Sequence, residues 1–346
     1  MSDNLLLGRT AYFKSDEKQP HVARCREMIK AHPEITTLFG RNPWTFAILL
    51  GLVALQFSIA AFMGTLGLSY WWVALIVAWI VGAFANHDMY VVIHEATHNL
   101  VFKNRTANRW VVILADMANG IPGGQGFSTY HLKHHAHQGE HDMDTDLAGF
   151  WEAKLVGNSW WRKSLWLLFF PVFQIGRAYR VENVSTFTKW VFINIACAIV
   201  VDIAMVYFFG WNAIVYMVGS MFFSLGLHPL GARWVQEHYT LDGKQETHSY
   251  YGPLNNISMN IGYHVEHHDF PAIPWNNIKQ LKAMAPEFYD NLRSHDSWFS
   301  LWLQFIFNPK YSLFSRVTRE NGKDKVVVEV GKTAVGNTST TLAGSR

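Results

Sequence analysis

No Asp, Glu, Lys or Arg occurs between Asn42 and Asn86, and a second such gap runs from Ile203 to Ala232. A helix needs about 20 apolar residues to cross the hydrocarbon core of a bilayer. The first gap therefore holds two spans, and the second, with the residues before it, holds two more. The expected spans are about 44–65, 70–94, 188–209 and 212–228, joined in pairs by the uncharged turns Leu66–Ser69 and Gly210–Trp211. A buried soluble hairpin is the alternative, and so long a charge-free run argues against it. Charged residues make up only 16% of the chain, against roughly 25% in an ordinary soluble domain, so much of the surface faces something other than water.

Basic residues set the expected orientation. Arg9, Lys14, Lys18, Arg24, Arg26, Lys30 and Arg41 crowd the N-terminal arm, whereas the two short turns carry none. The positive-inside rule then places the arm (1–42), the central loop and the C-terminal third on the cytosolic side. The membrane domain is expected over 43–311 and a disordered tail over 321–346, which is polar and rich in Thr, Ser and Gly. Trp110–Ile121 is too short to span. Trp160–Gln174 opens with Trp160, Trp161, Arg162 and Lys163 and contains Pro171, which suits a helix lying in the interface over about 160–174. Asp202 falls inside the third span, where an ionisable group is costly and usually paired, functional or near the membrane edge. The first residues lack the basic n-region of a signal peptide, and Ser2 stands where N-myristoylation needs glycine, so neither a cleaved leader nor that anchor is expected.

The net charge of +3 and the absence of basic runs interleaved with aromatics point away from nucleic acid. Two distant cysteines, Cys25 and Cys197, exclude a disulfide framework or a cysteine-held cluster. Histidine is the anomaly, with 17 residues, many of them clustered. The clusters are His94-Glu95-Ala96-Thr97-His98, His131-Leu132-Lys133-His134-His135 and His264-Val265-Glu266-His267-His268. All three fall on the expected cytosolic side. Residues three and four apart share a helix face, so each cluster can aim two or three imidazoles at one point. Zinc takes about four ligands and octahedral ions about six, so these donors exceed the needs of one ion and two metals are expected. The imidazoles do not by themselves choose between zinc, copper, iron and nickel.

Two narrower readings account for less. His94–His98 also fits the H-E-x-x-H helix of a zinc metalloprotease with Glu95 as general base, which leaves the other six histidines idle. A carboxylate-bridged di-iron bundle needs a second Glu-x-x-His and two further Glu, which the chain lacks. A metal transporter or sensor would set its ligands along a path between helices, not at one end.

The three clusters match H-x3-H, H-x2-HH and H-x2-HH, in that order, with two hydrophobic segments between the second and third, and so resemble the membrane desaturases and hydroxylases. A finer match covers about Gln19 to Tyr311. Gln19-Pro20-His21, Gly226-Leu227-His228-Pro229, Glu237-His238-Tyr239, Tyr250-Tyr251-Gly252-Pro253-Leu254-Asn255 and Gly262 through His268-Asp269-Phe270-Pro271 resemble the sphingolipid delta-4 (dihydroceramide) desaturase family. The resemblance implies an all-α integral membrane enzyme of the endoplasmic reticulum, with four transmembrane helices and a cytosolic helical cap. Two iron ions would be held by His94, His98, His131, His134, His135, His264, His267 and His268, with His238 the expected further ligand. It implies insertion of a trans double bond into the sphingoid base of dihydroceramide, using dioxygen and electrons from NADH through cytochrome b5 reductase and cytochrome b5. Hydroxylation at the fourth carbon, or both activities in one chain, is the nearest alternative. Glu95, Asp144, Asp146, Glu266 and Asp269 lie beside ligands and are the expected acceptors for imidazole N–H groups.

The chain also departs from the family pattern. His248 stands where a tyrosine is expected, Thr97 sits where the first box usually has a small apolar residue, and Leu147–Trp151 lacks the Pro-Thr seen in relatives. Ile121-Pro122-Gly123-Gly124 has isoleucine where the His-Pro-Gly-Gly haem motif has its ligand, so the cytochrome is expected to be a separate protein.

Overall fold

The structure is a computed structural model, described here for residues 9–319 except Asn183. Four helices among these residues are long and apolar enough to cross a membrane: Trp44–Thr65, Leu68–Thr97, Lys189–Phe209 and Trp211–His238. Pro43 precedes the first at φ −63°, already the helical value. Thr188 caps the third, its hydroxyl accepting the Val191 N–H. The two turns that return the chain depend on glycine, since Gly67 and Gly210 sit at φ +78° and +95°, where a side chain would be strained. The tail expected over 321–346 lies outside the described residues.

The fourth helix is the hub. Within its span 61% is buried, against 17% for the third, and it packs on all three others. Lipid tails are as apolar as leucine, so close approach of backbones and interhelical hydrogen bonds hold such a bundle together. Ala60, Ala74, Ala78 and Ala213 are fully buried. A Cβ on Gly82 would lie 2.0 Å from Ser220 Oγ, and one on Gly64 would lie 2.5 Å from the Phe209 carbonyl. Tyr216 donates to Gln56 Oε1 (2.5 Å) and Asn212 to the Met63 carbonyl (2.9 Å).

The second span is longer than expected at both ends and contains one π-turn, Ala78–Gly82. The fourth leaves regular α geometry after Leu225, turns through Pro229–Ala232 and resumes as Arg233–His238. Asp202 has Oδ1 buried with no hydrogen-bond partner among the described residues, so the structure supplies no pairing for it.

The single interfacial helix expected over 160–174 is two helices, Trp160–Leu168 and Phe170–Ala178. Pro171 is the cause. It has no N–H for the Leu167 carbonyl, and its ring excludes a straight helix there. The freed Leu167 carbonyl turns toward the break in the fourth helix, where a Cβ on Gly226 would meet it at 2.0 Å.

The remaining elements form a cap over the end of the bundle where the second span finishes. Helices Arg105–Met117 and Gly124–Ala136 follow that span, and the short helix His264–Asp269 closes over them. Two short parallel pairings add the only strands among the described residues. Phe13–Lys14 pairs with Val317–Thr318, and Ser249–Tyr250 with Ser294–His295. The first ties the N-terminal arm to the end of the described chain.

His248 and His295 lie in this cap with ring centroids 5.6 Å apart. Burial, with each other's proximity added for His248, pushes them down to about 3 and about 4 respectively. A folded-state pKa below the unfolded value contributes stability that is present above about pH 6.5 and lost as pH falls toward those values. His248→Tyr should therefore lose less thermal stability than the parent between pH 7 and pH 5, measured as unfolding midpoints in detergent. Gly226→Ala should cost about 1–3 kcal/mol because its methyl meets backbone, whereas Gly51→Ala, inside the first membrane helix with nothing within 4 Å of the added carbon, should not lower the same midpoint.

Candidate metal centre

Nine imidazoles converge where the second span meets the cap, and they divide into two groups. His94, His98, His131, His135 and His267 place one ring nitrogen each within 4.8 Å of one another, and His134, His238 and His268 do the same. His264 joins the second group, with its Nε2 3.0 Å from that of His238. Helix periodicity makes the division. On Gly124–Ala136, His131 and His135 are four apart and serve the first group, while His134 points about 100° away into the second. On His264–Asp269, the pair His264 and His268 serves the second group and His267 the first. His94 and His98, again four apart, both serve the first group.

The first group is an unbroken sequence of Nε2 atoms. His94 lies 2.9 Å from His267, His267 3.1 Å from His135, His135 3.1 Å from His131, and His131 3.0 Å from His98. An octahedral ion with imidazole nitrogens at about 2.1 Å sets neighbouring donors about 3.0 Å apart. The spacing fits a shared ion. Burial, followed by the neighbouring histidines, holds His131, His135, His264, His267 and His268 well below the usual imidazole range, and burial takes His98 to about 3. These rings are neutral bases with lone pairs to give.

In the second group the tautomers can be assigned. His134 Nδ1 contacts Asp144 Oδ1 at 2.8 Å, and His238 Nδ1 contacts the Glu246 carbonyl at 3.2 Å. Both oxygens accept, so both Nδ1 atoms donate. The two Nε2 lone pairs then face each other across 3.0 Å. That arrangement needs a positive charge between them. Burial alone would lower His134, but Asp144 and Asp146 outweigh it and push the ring up to about 9, so without an ion His134 carries a proton at this point, and the same two carboxylates would favour a metal ion in its place. His268 Nε2 is also buried with no hydrogen-bond partner among the described residues. The donor set fits two metal ions.

Of the five carboxylates expected to accept imidazole N–H groups, Asp144 accepts one from His134, and Asp269 accepts one from His21, which lies outside the two groups. Asp144 is itself fixed by the N–H groups of Gly139 and Asp146. Asp146 takes Gln174 on Oδ1, and its Oδ2 stands 3.6 Å from His134 Nε2, on the metal side of the ring. The other three face elsewhere, because a neighbour in a helix is turned away from its ligand. Glu95 is 3.8 Å from His94 Nδ1 and accepts the Trp275 N–H instead. Glu266 accepts from Ser249 and Tyr251, and burial raises its carboxyl to about 7. Asp269 binds His21 at 2.7 Å and Arg24 at 3.1 Å. The position of Glu95 also removes the general base that a zinc protease would need.

His21 and Thr247 are functional neighbours that spacing did not reveal. His21 bridges Asp269 and Thr247 Oγ1 (3.0 Å), and its ring lies 4.9 Å from that of His268. Thr247 in turn lies beside His238 and takes Gln138. Gln19-Pro20-His21 drew notice as a family stretch, but no periodicity links it to residues 247 and 269.

A family model described as fatty acid desaturase matches residues 69–300, and a second, described as sphingolipid Delta4-desaturase (DES), matches residues 8–44. The chain belongs to the fatty acid desaturase family. Relatives named sphingolipid delta(4)-desaturase extend the match over nearly the whole chain. The DES1-like protein of Oryza sativa is 38% identical over 314 residues, covering 91% of this chain and 94% of the relative. DES1 of Homo sapiens is 36% identical over 313 residues, covering 90% and 95%. The Rattus norvegicus protein named sphingolipid delta(4)-desaturase/C4-monooxygenase DES2 is 37% identical over 307 residues, covering 87% and 93%.

Beside the metal centre this desaturase has a cavity of about 280 Å³. Its walls are largely apolar, with Phe127, Ile175, Phe187, Ile195 and Met221 among them, and His131 and Asp146 also line it. Phe127 stacks on His131 at 4.8 Å and so joins the apolar wall to the first imidazole group.

Asp144→Ala would free the His134 ring from its acceptor. Metal content measured against a competing chelator should show affinity lower by about 10–100-fold, the usual effect of removing an outer partner of a ligating histidine.

Proposed function

We propose that the chain is a sphingolipid delta-4 desaturase that introduces a trans double bond into the sphingoid base of dihydroceramide. The observation that carries this reading is the meeting of the first imidazole group with an apolar cavity at His131, with the second group beside the first. The names of relatives that match about nine-tenths of the chain support it. A methylene hydrogen is not acidic, so side-chain acid–base chemistry cannot remove it. A pair of iron ions, when bound, supplies the one-electron chemistry with dioxygen that can.

The residues of this chain do the rest. His94, His98, His131, His135 and His267 would hold one ion, and His134, His238, His264 and His268 the other. Asp144 keeps His134 in the tautomer that presents Nε2. Phe127, Ile195 and Met221 keep water from the reacting carbons, and the cavity wall orients the chain against His131. Electrons would come from NADH through cytochrome b5 reductase and cytochrome b5, at an endoplasmic reticulum membrane with the cap in the cytosol. The basic N-terminal arm supports that orientation.

Hydroxylation at the fourth carbon is the second reading, favoured by the C4-monooxygenase named in the Rattus norvegicus relative. Expression in cells lacking both activities, with mass spectrometry of long-chain bases, separates the two. A product lighter by two hydrogens than dihydroceramide is expected; a product heavier by one oxygen would assign the hydroxylase instead. His134→Ala and His267→Ala, one from each imidazole group, should each reduce turnover to background while the protein still inserts into membranes. Full activity in either would refute the ligand assignment.

A further inference from the structure

The cavity wall contains a buried amide oxygen that the protein leaves unused. Asn194, on the third membrane helix, is 3% exposed and lines the cavity together with His131. It terminates a buried hydrogen-bond network. Ser224 Oγ donates to Asn86 Oδ1 (2.7 Å), Asn86 Nδ2 to Asn119 Oδ1 (2.7 Å), and Asn119 Nδ2 to Asp116 Oδ1 (2.9 Å). Asp116 Oδ2 accepts the N–H groups of Gly123 (2.7 Å) and Gly124 (2.9 Å) and also contacts Asn194 Nδ2 at 2.5 Å. An oxygen that already accepts two backbone N–H groups takes the amide nitrogen of Asn194, not its oxygen. The amide orientation is thereby decided, and Asn194 Oδ1 is left buried with no hydrogen-bond partner among the described residues.

Other fully buried polar side-chain atoms of the wall are matched within the protein. Gln125 exchanges hydrogen bonds with Arg109, Tyr130 pairs with Thr186, and Gln174 bonds both Asp146 and Arg177. The exception besides Asn194 is Trp234, whose indole N–H is buried and unmatched among the described residues. The wall thus offers a buried free acceptor and a buried free donor, beside the hydroxyls of Tyr90 and Thr145, which suits a hydroxyl or a secondary amide and not a plain hydrocarbon chain. A buried polar atom left without a partner is costly, so a ligand that completes the network is favoured over one that does not.

We infer that Asn194 Oδ1 is the atom by which the cavity recognises a hydrogen-bond donor on the lipid, a hydroxyl or amide N–H borne close to the carbons being oxidised. This rests on the desaturase reading above and deepens it. In dihydroceramide the hydroxyl-bearing carbon adjoins the reacting pair and the amide is one carbon further, so both donors would enter the cavity with the reacting segment. Asn194 would then be a specificity-determining residue for where along a chain, and in which lipids, oxidation occurs.

The test compares dihydroceramide with two analogues, one lacking that hydroxyl and one N-methylated at the amide, in membranes carrying the full chain. The wild-type protein should favour dihydroceramide over at least one analogue by about tenfold or more in kcat/KM. Asn194→Leu, close in volume but without the acceptor, should bring that ratio toward one by lowering kcat/KM for dihydroceramide. A merely structural role would lower all three substrates together and leave the ratio at its wild-type value, which would overturn the inference. Equal use of all three by the wild-type protein would overturn it as well. If the leucine variant does not accumulate, Asn194→Ala, which removes the same amide without adding bulk, is read by the same ratio. Conversion of none of the three by the wild-type protein is a distinct result, because it removes the desaturase reading and this inference with it.

Discussion

Imidazole lone pairs that face one another across about 3 Å in a water-poor site repel unless a cation lies between them, and the rest of this structure serves that requirement. His134 and His238 state it most clearly, because Asp144 and the Glu246 carbonyl leave neither ring free to turn its N–H inward. A buried group of this kind is destabilising without its ion and stabilising with it. Strand pairings of two residues, the Asp269–His21–Thr247 bridge and the buried Glu152–Arg177 ion pair are the means by which short, separate segments are held.

The bundle beneath the cap follows a different physics. Between lipid tails, burial of apolar surface gives helices little reason to associate. Contact instead comes from glycine and alanine at the crossings and from a few buried amides and hydroxyls. The same polar devices reach the cavity. The network from Ser224 to Asn194 stitches the fourth, second and third membrane helices to the glycine turn after Met117, and that turn forms part of the cavity wall. Structural adhesion and lipid recognition are thus carried by one set of side chains, and the metal centre, the apolar wall and the unmatched amide all meet along one cavity.

Much of this arrangement was written locally. Two long charge-free gaps determined the four spans, since no other environment tolerates so many apolar residues without a charge. The H-x3-H and H-x2-HH spacings determined that several imidazoles must share a helix face, because 3.6 residues per turn leaves no alternative. Pro171 did not by its presence announce the break in the interfacial segment, where one helix was expected over 160–174; the two helices and the contact between the Leu167 carbonyl and residue 226 show where the chain turns.

What tertiary structure alone decided was the sorting. Spacing brought the imidazoles onto shared faces, but which ring of each box joins which group depends on how three helices and the end of a fourth are rotated against one another, and no single segment encodes that. For the same reason Glu95, Glu266 and Asp269, adjacent to ligands in the chain, face away from them, while His21, more than two hundred residues from its partner Asp269, lies against His268. Neighbours in sequence share a backbone, not a direction. Direction is set by packing.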